Sequence, residues 1–525
     1  MIRTGPAAAL LALALAAPLG AQQAGNPIRP RTTYEDLQMF SQVLNQIRVN
    51  HPDSIDTHAL FMAAIEGMVS AVDPHSYVIA ATRLSPEKER ELRAGKLHPV
   101  PVNFVLVEGS HVVASVAPGS AAAREDILPG DELVAVEGAP VAAKSAEELE
   151  IGLAGPRGSS VKLTLERRRI DGSLARLERT VRRERSEDEE TPVPTAFLMD
   201  GGTGYVRITT FASARAAEDL HAALERLEKQ GMQRLVLDLR DNGGGLVNEA
   251  VRVAGEFLPS GTLVHTIEGR KKEVSETYKV GRSFFRSERR YPIVLLTNEG
   301  TASASELVAG ALQDHDRARV VGRPSFGKAL VMQGFPLADG SIAVLVTGHG
   351  KTPCGRVIQR QYRNLSRRQY YRMAEAERDT VGRPSCKTAG GRTVYGGGGI
   401  YPDVVLPRRT PAPLWLARVR EENLPLKWTG GYVSASGAAL TSADALAASR
   451  ALPAAALAEF RAFATQQGVQ IPAGAEADAL LQRTLVLAVA RVKWGNQGYY
   501  RVAAALDPEV DEAAREAARG GSAAP

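Results

Sequence analysis

The spacing of apolar residues changes along the chain, and each change predicts a different type of element. Apolar residues recur at helical spacing at 37, 40, 44 and 47 and again between 60 and 69, which predicts an antiparallel helical pair over 34–80. Residues 95–183 instead carry short apolar runs separated by turns, with Val161, Leu163 and Leu165 alternating as in a strand. This second pattern predicts a small β-rich domain.

Buried strands and amphipathic helices alternate through residues 195–356, and 396–408 returns to the same pattern. Such alternation predicts an α/β domain, in which functional sites form at the carboxyl ends of the strands. The polar segment 357–395 is interpreted as an inserted loop or subdomain. Residues 411–518 are alanine-rich and predict a helical region, and 519–525 predict a disordered tail. The fold class is therefore multidomain α/β.

The first residues predict a secretory signal at 1–21. Arg3 precedes the apolar stretch Ala7–Ala17, and Leu19-Gly20-Ala21 offers a small-residue cleavage site. The stretch is too short to span a bilayer, which needs about 20 residues. We expect an exported, periplasmic protein with no stable transmembrane span after cleavage, or a membrane-associated one if the signal is not removed.

Composition narrows the choice of partners. The net charge of +5 is spread along the chain, and mixed-sign segments such as 176–190 are interpreted as solvated surface. The basic, tyrosine-containing segment Arg367–Arg372 is more typical of a surface loop than of a nucleic-acid site, so no nucleic-acid partner is expected.

In an exported protein the two cysteines, Cys354 and Cys386, face an oxidising compartment. They either close a disulfide loop of about 33 residues or remain two thiols. Two ligands do not suffice for a zinc site, so no metal is expected.

The candidate chemistry lies in Asn298–Val331. Ser303 and Ser305 stand where an apolar strand runs into a helix, and Lys328 stands 25 residues after Ser303 in an apolar run. A serine hydroxyl needs a base to become a nucleophile, and a lysine is that base only when burial keeps it neutral. Gly243–Gly245 could bring backbone N–H groups close to a substrate. Taken singly, these features are also typical of a helix cap, a surface lysine and a structural turn.

Together the motifs resemble those of the carboxy-terminal processing (tail-specific) serine proteases, over roughly residues 34–408. The β-rich domain resembles a PDZ domain, which binds the C-terminal strand of a peptide at a sheet edge, although Pro101-Val102-Asn103-Phe104 departs from the usual glycine-containing carboxylate loop. The motifs that carry the resemblance are Gly300–Glu306, Gln313-Asp314-His315, Gly322–Lys328, Leu239–Leu246, Thr352–Arg356, Ile358-Gln359, Gly399–Asp403 and, for the PDZ domain, Pro129-Gly130-Asp131.

The resemblance implies a protease core of crotonase- or Clp-like ββα units, with Ser303 rather than Ser305 as nucleophile and Lys328 as general base. It implies an oxyanion hole formed by the backbone N–H groups of Ala304 and Gly244, with Gly245 as a rival. Asp314 would support the site. In the family a glutamine four residues after the lysine often orients the amine; that position is Met332 here, and Gln333 follows it.

The resemblance further implies protein or peptide substrates with apolar C-termini and no cofactor. A homo-oligomer is possible. Two other functions stay open at this point. One is a catalytically weak binding protein on the same scaffold, and the other is a Ser–His–Asp hydrolase that uses His315.

Overall fold

The computed structural model describes residues 32–79, 91, 96–107, 110–116, 120–141, 146–168, 173–184, 191–281, 289–362, 365, 369–370, 373, 380–408 and 410–520. The predicted signal at 1–21 and residues 521–525 of the predicted tail lie outside this part of the chain. The chain divides into two compact units, Met1–Met68 and Val69–Pro525.

Helices α1 (Thr33–Asn50) and α2 (Thr57–Val72) form the described part of the first unit, and the last residues of α2 belong to the second. A reciprocal cap starts α1: the Thr32 N–H donates to the Glu35 carboxylate at 2.8 Å, and the Glu35 N–H donates to the Thr32 hydroxyl at 3.3 Å. The rings of Phe40 and Phe61 lie 5.9 Å apart. The two predicted helices therefore contact each other through this aromatic pair.

The second unit begins with strand β1 (Tyr77–Ile79) and continues into the β-rich domain. Val113, Leu163 and Leu165 of this domain are fully buried, as their alternation predicts. Strand β3 forms one edge of its main sheet, whose order is β3-β4-β5-β8-β9. The elements are β2 (Leu97–His98), β3 (Val102–Val107), β4 (Ser110–Val116), α3 (Ala121–Arg124), β5 (Glu132–Val136), β6 (Ala139–Pro140), α4 (Ala146–Leu153), β7 (Gly155–Pro156), β8 (Ser160–Arg168) and β9 (Leu174–Arg182).

Residues 176–182, which were interpreted as solvated surface, are part of strand β9, and the interpretation holds for its exposed face. They pair with β8 along its whole length. Charged side chains at alternate positions of β9 are exposed. A strand with one solvent-exposed face can therefore have the composition of a polar loop.

The α/β core is built on a six-stranded sheet of order β10-β11-β12-β15-β16-β21, in which only β10 is antiparallel to its neighbour. Its central strands β12 and β15 are continuous apolar runs because both faces of a parallel sheet are buried. The elements are β10 (Thr195–Met199), β11 (Thr203–Arg207), α5 (Ala216–Lys229), β12 (Arg234–Asp238), α6 (Val247–Ala254), β13 (Leu263–Gly269), β14 (Glu276–Lys279), β15 (Ile293–Thr297), α7 (Ala304–Asp314), β16 (Arg319–Gly322), β17 (Leu330–Pro336), β18 (Ile342–Lys351), β19 (Ser385–Lys387), β20 (Thr393–Tyr395) and β21 (Val404–Val405).

A second sheet of the core contains β1, β18, β13 and β14, with β17 paired to β18. Strand β1 precedes the β-rich domain in the chain, so that domain is inserted into the core. Within 357–395, β19 and β20 form an antiparallel pair, and a disulfide joins Cys386 of β19 to Cys354.

The C-terminal region is helical, as its composition predicts. It has its own apolar core, where the rings of Trp428 and Tyr432 stack at 4.5 Å. One helix of this region begins at Ala475, breaks at Trp494 and Gly495, and then resumes to Ala505, with Val502 and Ala504 buried. The elements are α8 (Leu414–Glu421), α9 (Leu424–Ser436), α10 (Ala443–Ser449), α11 (Ala454–Gln466), α12 (Ala475–Ala505) and α13 (Pro508–Ala518).

Candidate active site

Ser303 lies at the carboxyl end of β15, directly before α7. Its backbone has φ 56° and ψ −118°, a region that L-residues rarely adopt and that costs on the order of 1–3 kcal/mol. The residue is half-buried. The sharp turn therefore presents the Ser303 side chain at a helix N-terminus, where unpaired N–H groups favour negative charge.

Ser305 stands in a different environment. Its side chain is fully buried, and its hydroxyl donates to the Asn242 carbonyl at 2.9 Å. The hydroxyl is thus engaged in holding two turns together, whereas Ser303 has the exposure that a nucleophile needs.

Lys328 follows β16 on a loop and is half-buried. Burial lowers the pKa of its amine below the ordinary value of 10.5, and the charges of Glu306 and Asp73 partly oppose that shift. Ser303 and Lys328, both within the described chain, do not hydrogen-bond to each other through their side chains. Such bonds are often long in enzymes without substrate.

Glu306 joins the serine and the lysine through their backbones. Its fully buried carboxylate accepts hydrogen bonds from the N–H groups of Ser303 and Lys328, each at 2.8 Å. It also accepts from the Gly327 N–H at 2.8 Å and from the Ser325 hydroxyl. Burial raises the pKa of Glu306 while these hydrogen bonds oppose the rise. The Ser-x-x-Glu spacing of a capping box was the sequence signal for this residue, and it was missed.

The glycine turn after β12 packs directly on the serine turn. A Cβ on Gly244 would lie 2.8 Å from the Ala304 nitrogen and 2.8 Å from the Ser303 Cβ. The Asn242 carbonyl accepts from the Ala302 N–H at 3.0 Å as well as from Ser305. The two predicted turns are therefore one continuous surface around Ser303.

The candidate oxyanion donors differ in their present partners. Ala304 is the first residue of α7, so its N–H has no partner within the helix. The Gly244 N–H donates to the Asn242 side chain at 3.0 Å. Gly245 packs against the Phe211 backbone, where its Cβ would lie 2.1 Å from the Phe211 carbonyl carbon.

A turn that precedes the β-rich domain also reaches the lysine loop. The Asp73 carboxylate accepts from the N–H groups of His75 and Ser76, each at 2.7 Å, and these bonds hold the turn. The His75 ring packs edge-on against Tyr370 at 4.7 Å, and the Tyr370 hydroxyl donates to the Gly327 carbonyl at 3.3 Å. Asp73 precedes Lys328 by 255 residues, and sequence reasoning missed that the two regions come together.

Three other predicted residues lie elsewhere. Gln333 is exposed. The register between β17 and β18 shifts just before it, between Val331 and Met332, so that one residue of β18 has no partner in β17. Asp314 forms a buried ion pair with Arg356 at 2.6 Å and accepts from the Cys354 N–H at 3.1 Å. The His315 ring bonds the Leu263 carbonyl at 2.7 Å, so its Nε2 already has a partner.

Comparison with known proteins identifies the family and the domains of this chain. Residues 202–363 match peptidase family S41, and residues 112–167 match a PDZ domain. The carboxy-terminal-processing protease of Bartonella bacilliformis is 30% identical over 337 residues, which are 63% of this chain and 74% of that protein. The carboxyl-terminal-processing protease of Picosynechococcus sp. is 34% identical over 278 residues, 51% of this chain and 64% of that protein. CtpB of Bacillus subtilis is 28% identical over 315 residues, 59% of this chain and 62% of that protein.

Among solved structures, the photosystem II D1 C-terminal processing protease is 25% identical. The match covers 76% of this chain and 92% of that one, with a TM-score of 0.36. Of the helices within the described residues, none combines the length and hydropathy needed to cross a membrane.

The α/β core, the inserted PDZ domain and these matches define a serine-type peptidase. The chain belongs to peptidase family S41, together with the carboxy-terminal-processing proteases that it resembles.

Proposed function

We propose that this protein is an exported endopeptidase that cleaves polypeptides near their C-termini through a Ser303–Lys328 dyad. The observation that carries the proposal is the strained Ser303 turn, which lies between a helix N-terminus and a glycine turn. Glu306 joins this turn to the loop of Lys328 through hydrogen bonds, and burial lowers the pKa of Lys328. Export rests on the signal-like sequence at 1–21.

In the proposed reaction the neutral Lys328 amine takes the proton of the Ser303 hydroxyl as the oxygen attacks the substrate carbonyl carbon. The resulting ammonium then gives that proton to the leaving amine as the peptide bond breaks. Water, activated by the same lysine, hydrolyses the acyl-enzyme and restores Ser303. No step needs a metal or a cofactor.

The tetrahedral intermediate carries negative charge on the former carbonyl oxygen. The Ala304 N–H is the first donor for this oxygen because it is at the start of α7. A donor from the Gly244–Gly245 turn would complete the hole. If that donor is Gly244, its N–H must leave the Asn242 side chain when substrate binds.

The edge strand β3 with the adjacent α4 offers the groove in which PDZ domains bind a peptide. The carboxylate loop before β3 is poor in donors, because Pro101 has no N–H and the Val102 N–H donates to the Val100 carbonyl at 2.8 Å. We therefore propose that apolar side chains near the substrate C-terminus contribute more to binding than its carboxylate does.

Matched serine variants test the proposal. Ser303→Ala should abolish cleavage of an unfolded protein with an apolar C-terminus, and it should also abolish labelling by a serine-directed phosphonate. Ser305→Ala should keep cleavage and labelling, and should lower stability by about 1 kcal/mol through its lost buried hydrogen bond. If the wild type binds polypeptides but is neither active nor labelled, the protein is a binding protein on a protease scaffold. A rate that survives His315→Ala removes the Ser–His–Asp alternative.

A further inference from the structure

The C-terminal helix α13 meets the protease core through an acid at its start. Glu509 accepts from two arginines of the core: its Oε2 lies 2.6 Å from Arg240 Nη1, and its Oε1 lies 2.6 Å from Arg323 Nη1. Asp507, which caps the helix, contacts the same Arg240 nitrogen at 2.8 Å. One carboxylate thus bridges two guanidinium groups that are 83 residues apart in the chain.

These arginines stand at the bases of the catalytic loops. Arg240 directly precedes the glycine turn, and Arg323 precedes the loop that carries Lys328. Arg323 also contacts Glu299 at 2.9 Å, and Glu299 directly precedes the turn that ends at Ser303. The glycine turn, the serine turn and the lysine loop are therefore each connected to Glu509 through one or two ion pairs.

The bridge is buried and fixed. The side chains of Arg240 and Arg323 are 4% and 5% exposed, and that of Glu509 is 11% exposed. Charged groups so far from water hold their geometry because each broken contact leaves a charge unpaired. Although burial opposes it, the charges of Arg240 and Arg207 keep the pKa of the neighbouring Asp238 below its usual range.

Packing holds the helix itself in place. Val510 and Ala513 of α13 are fully buried in one apolar cluster with Val236 of β12 and with Val294 and Leu296 of β15. These are the strands from which the glycine and serine turns emerge. The helix therefore covers one face of the sheet while its first turn reaches the loops at the sheet's end.

We propose that Glu509 is a positioning residue of the active site, which holds the oxyanion turn, the nucleophile turn and the lysine loop in register. The C-terminal helical region is then a working part of the protease. The inference rests on the proposed peptidase function, since its readout is the turnover of a peptide bond.

Glu509→Gln is the informative substitution because it has the same shape and removes only the charge. Arg240 keeps Asp238 and Asp507, and Arg323 keeps Glu299, so neither guanidinium loses its last acid. A shift of about 1 Å among catalytic groups can lower a rate by about 100-fold. We expect kcat to fall at least 10-fold while KM stays within about two-fold.

The experiment measures kcat, KM and the rate of phosphonate labelling for the full chain, with kcat expressed per site that the phosphonate can titrate. Glu512→Gln is the matched control, since Glu512 lies on the same helix and its ion pairs within the described residues are with Arg515 and Arg519 near the surface. Glu509→Asp, which restores the charge on a shorter side chain, should recover part of the lost kcat.

The outcomes separate three cases. A Glu509→Gln protein with wild-type kcat per titrated site overturns the inference, because Glu509 then contributes only to stability. A wild type that neither cleaves nor labels overturns the proposed function instead. If Glu509→Gln does not fold, Arg323→Lys replaces it. A lysine keeps the charge but lacks the planar fork whose separate nitrogens contact Glu299 and Glu509, so the same fall in kcat is expected and its absence counts against the inference.

Discussion

Ser303 and Ser305 show what a single residue's environment adds to its identity. Both are serines at one helix start, and nothing in their local sequence ranks them. In the structure the Ser305 hydroxyl is buried and donates to the Asn242 carbonyl, whereas Ser303 has a positive φ. Strain of this kind persists only where the surroundings enforce it, and here the enforcing group is the buried Glu306.

Lys328 depends on a balance between burial and neighbouring acids. Burial favours the neutral amine, while the carboxylates of Glu306 and Asp73 favour the ammonium. A lysine base works only when neutral, so activity should rise with pH through the pKa of Lys328, which lies below 10.5.

Asp73→Asn should move that rising limb of the kcat/KM profile to lower pH. Removing the Asp73 charge takes away one stabiliser of the ammonium form, so the pKa of Lys328 falls further. The asparagine oxygen still accepts the turn's backbone N–H groups, which preserves the fold. A pH–rate profile from pH 6 to 11 reads out the shift.

Asp53→Asn is the control for this shift, because Asp53 is an exposed acid between α1 and α2. It should leave the profile where the wild type has it. A limb that moves to higher pH in Asp73→Asn, or that moves equally in both variants, would contradict the assignment of Lys328 as the base.

At the scale of elements, the glycine turn and the serine turn behave as one piece. The Asn298 side chain donates to the Asp241 carboxylate at 2.7 Å and accepts from the Asp241 N–H at 2.9 Å. Parallel neighbours β12 and β15 bring the two turns to the same edge of the sheet, which is where α/β sites form.

Gly244→Ala keeps the backbone N–H but should displace this proposed oxyanion donor, so we expect kcat to fall by about 100-fold or more. The new Cβ would lie 2.7 Å from the Ala302 carbonyl oxygen and 2.8 Å from the Ala304 nitrogen, so the two turns must separate. Steady-state kinetics and thermal unfolding together measure the effect.

Gly231→Ala separates backbone strain from this clash. Gly231 also has a positive φ, but a Cβ there would meet no atom within 4 Å. Its alanine variant should lose stability and keep kcat. Equal losses of kcat in both variants would show that general destabilisation, rather than the oxyanion turn, is responsible.

The sequence predicted the elements whose apolar period is clear. The continuous apolar runs of β12, β15 and β16 and the helical spacing in α5 and α7 stand out in the sequence. Strands β10, β13 and β14 do not stand out, and β9 is recognised only as solvated surface, because a strand with one exposed face carries too few apolar positions. The sequence also does not show that α12 resumes after its break at Trp494, since that depends on the burial of Val502 and Ala504 by tertiary packing.

At the scale of the whole molecule, contacts far apart in sequence complete the core. Strand β1 pairs with β18 although the PDZ domain lies between them in the chain. The motifs identified Ser303, Lys328 and the glycine turn, since those residues have a recognisable local pattern. Asp73 and Glu509 lie outside these motifs, and only the fold shows that Asp73 acts on the charge of Lys328 and that Glu509 contacts Arg240 and Arg323.

The disulfide gives a prediction at the same scale. Cys354 and Cys386 join the end of the core segment to β19, so Cys354→Ser with Cys386→Ser should lower the free energy of unfolding by up to roughly 3.5–4 kcal/mol through the reopened loop. The thermal midpoint should fall in the double variant, and reductant should lower it in the wild type alone. A wild type indifferent to reductant would mean that the two thiols are unpaired in solution.

The bridge through Glu509 also sets an order of events in biosynthesis. Glu509 follows its partner Arg323 by 186 residues, so the ribosome adds the proposed nucleophile and base long before the acid proposed to align their loops. A growing chain therefore carries Ser303 and Lys328 before this support exists. If Glu509 positions the loops as proposed, a chain whose C-terminal helix has not yet docked cleaves peptide bonds more slowly than the complete protein, which limits cleavage of its own unfinished domains.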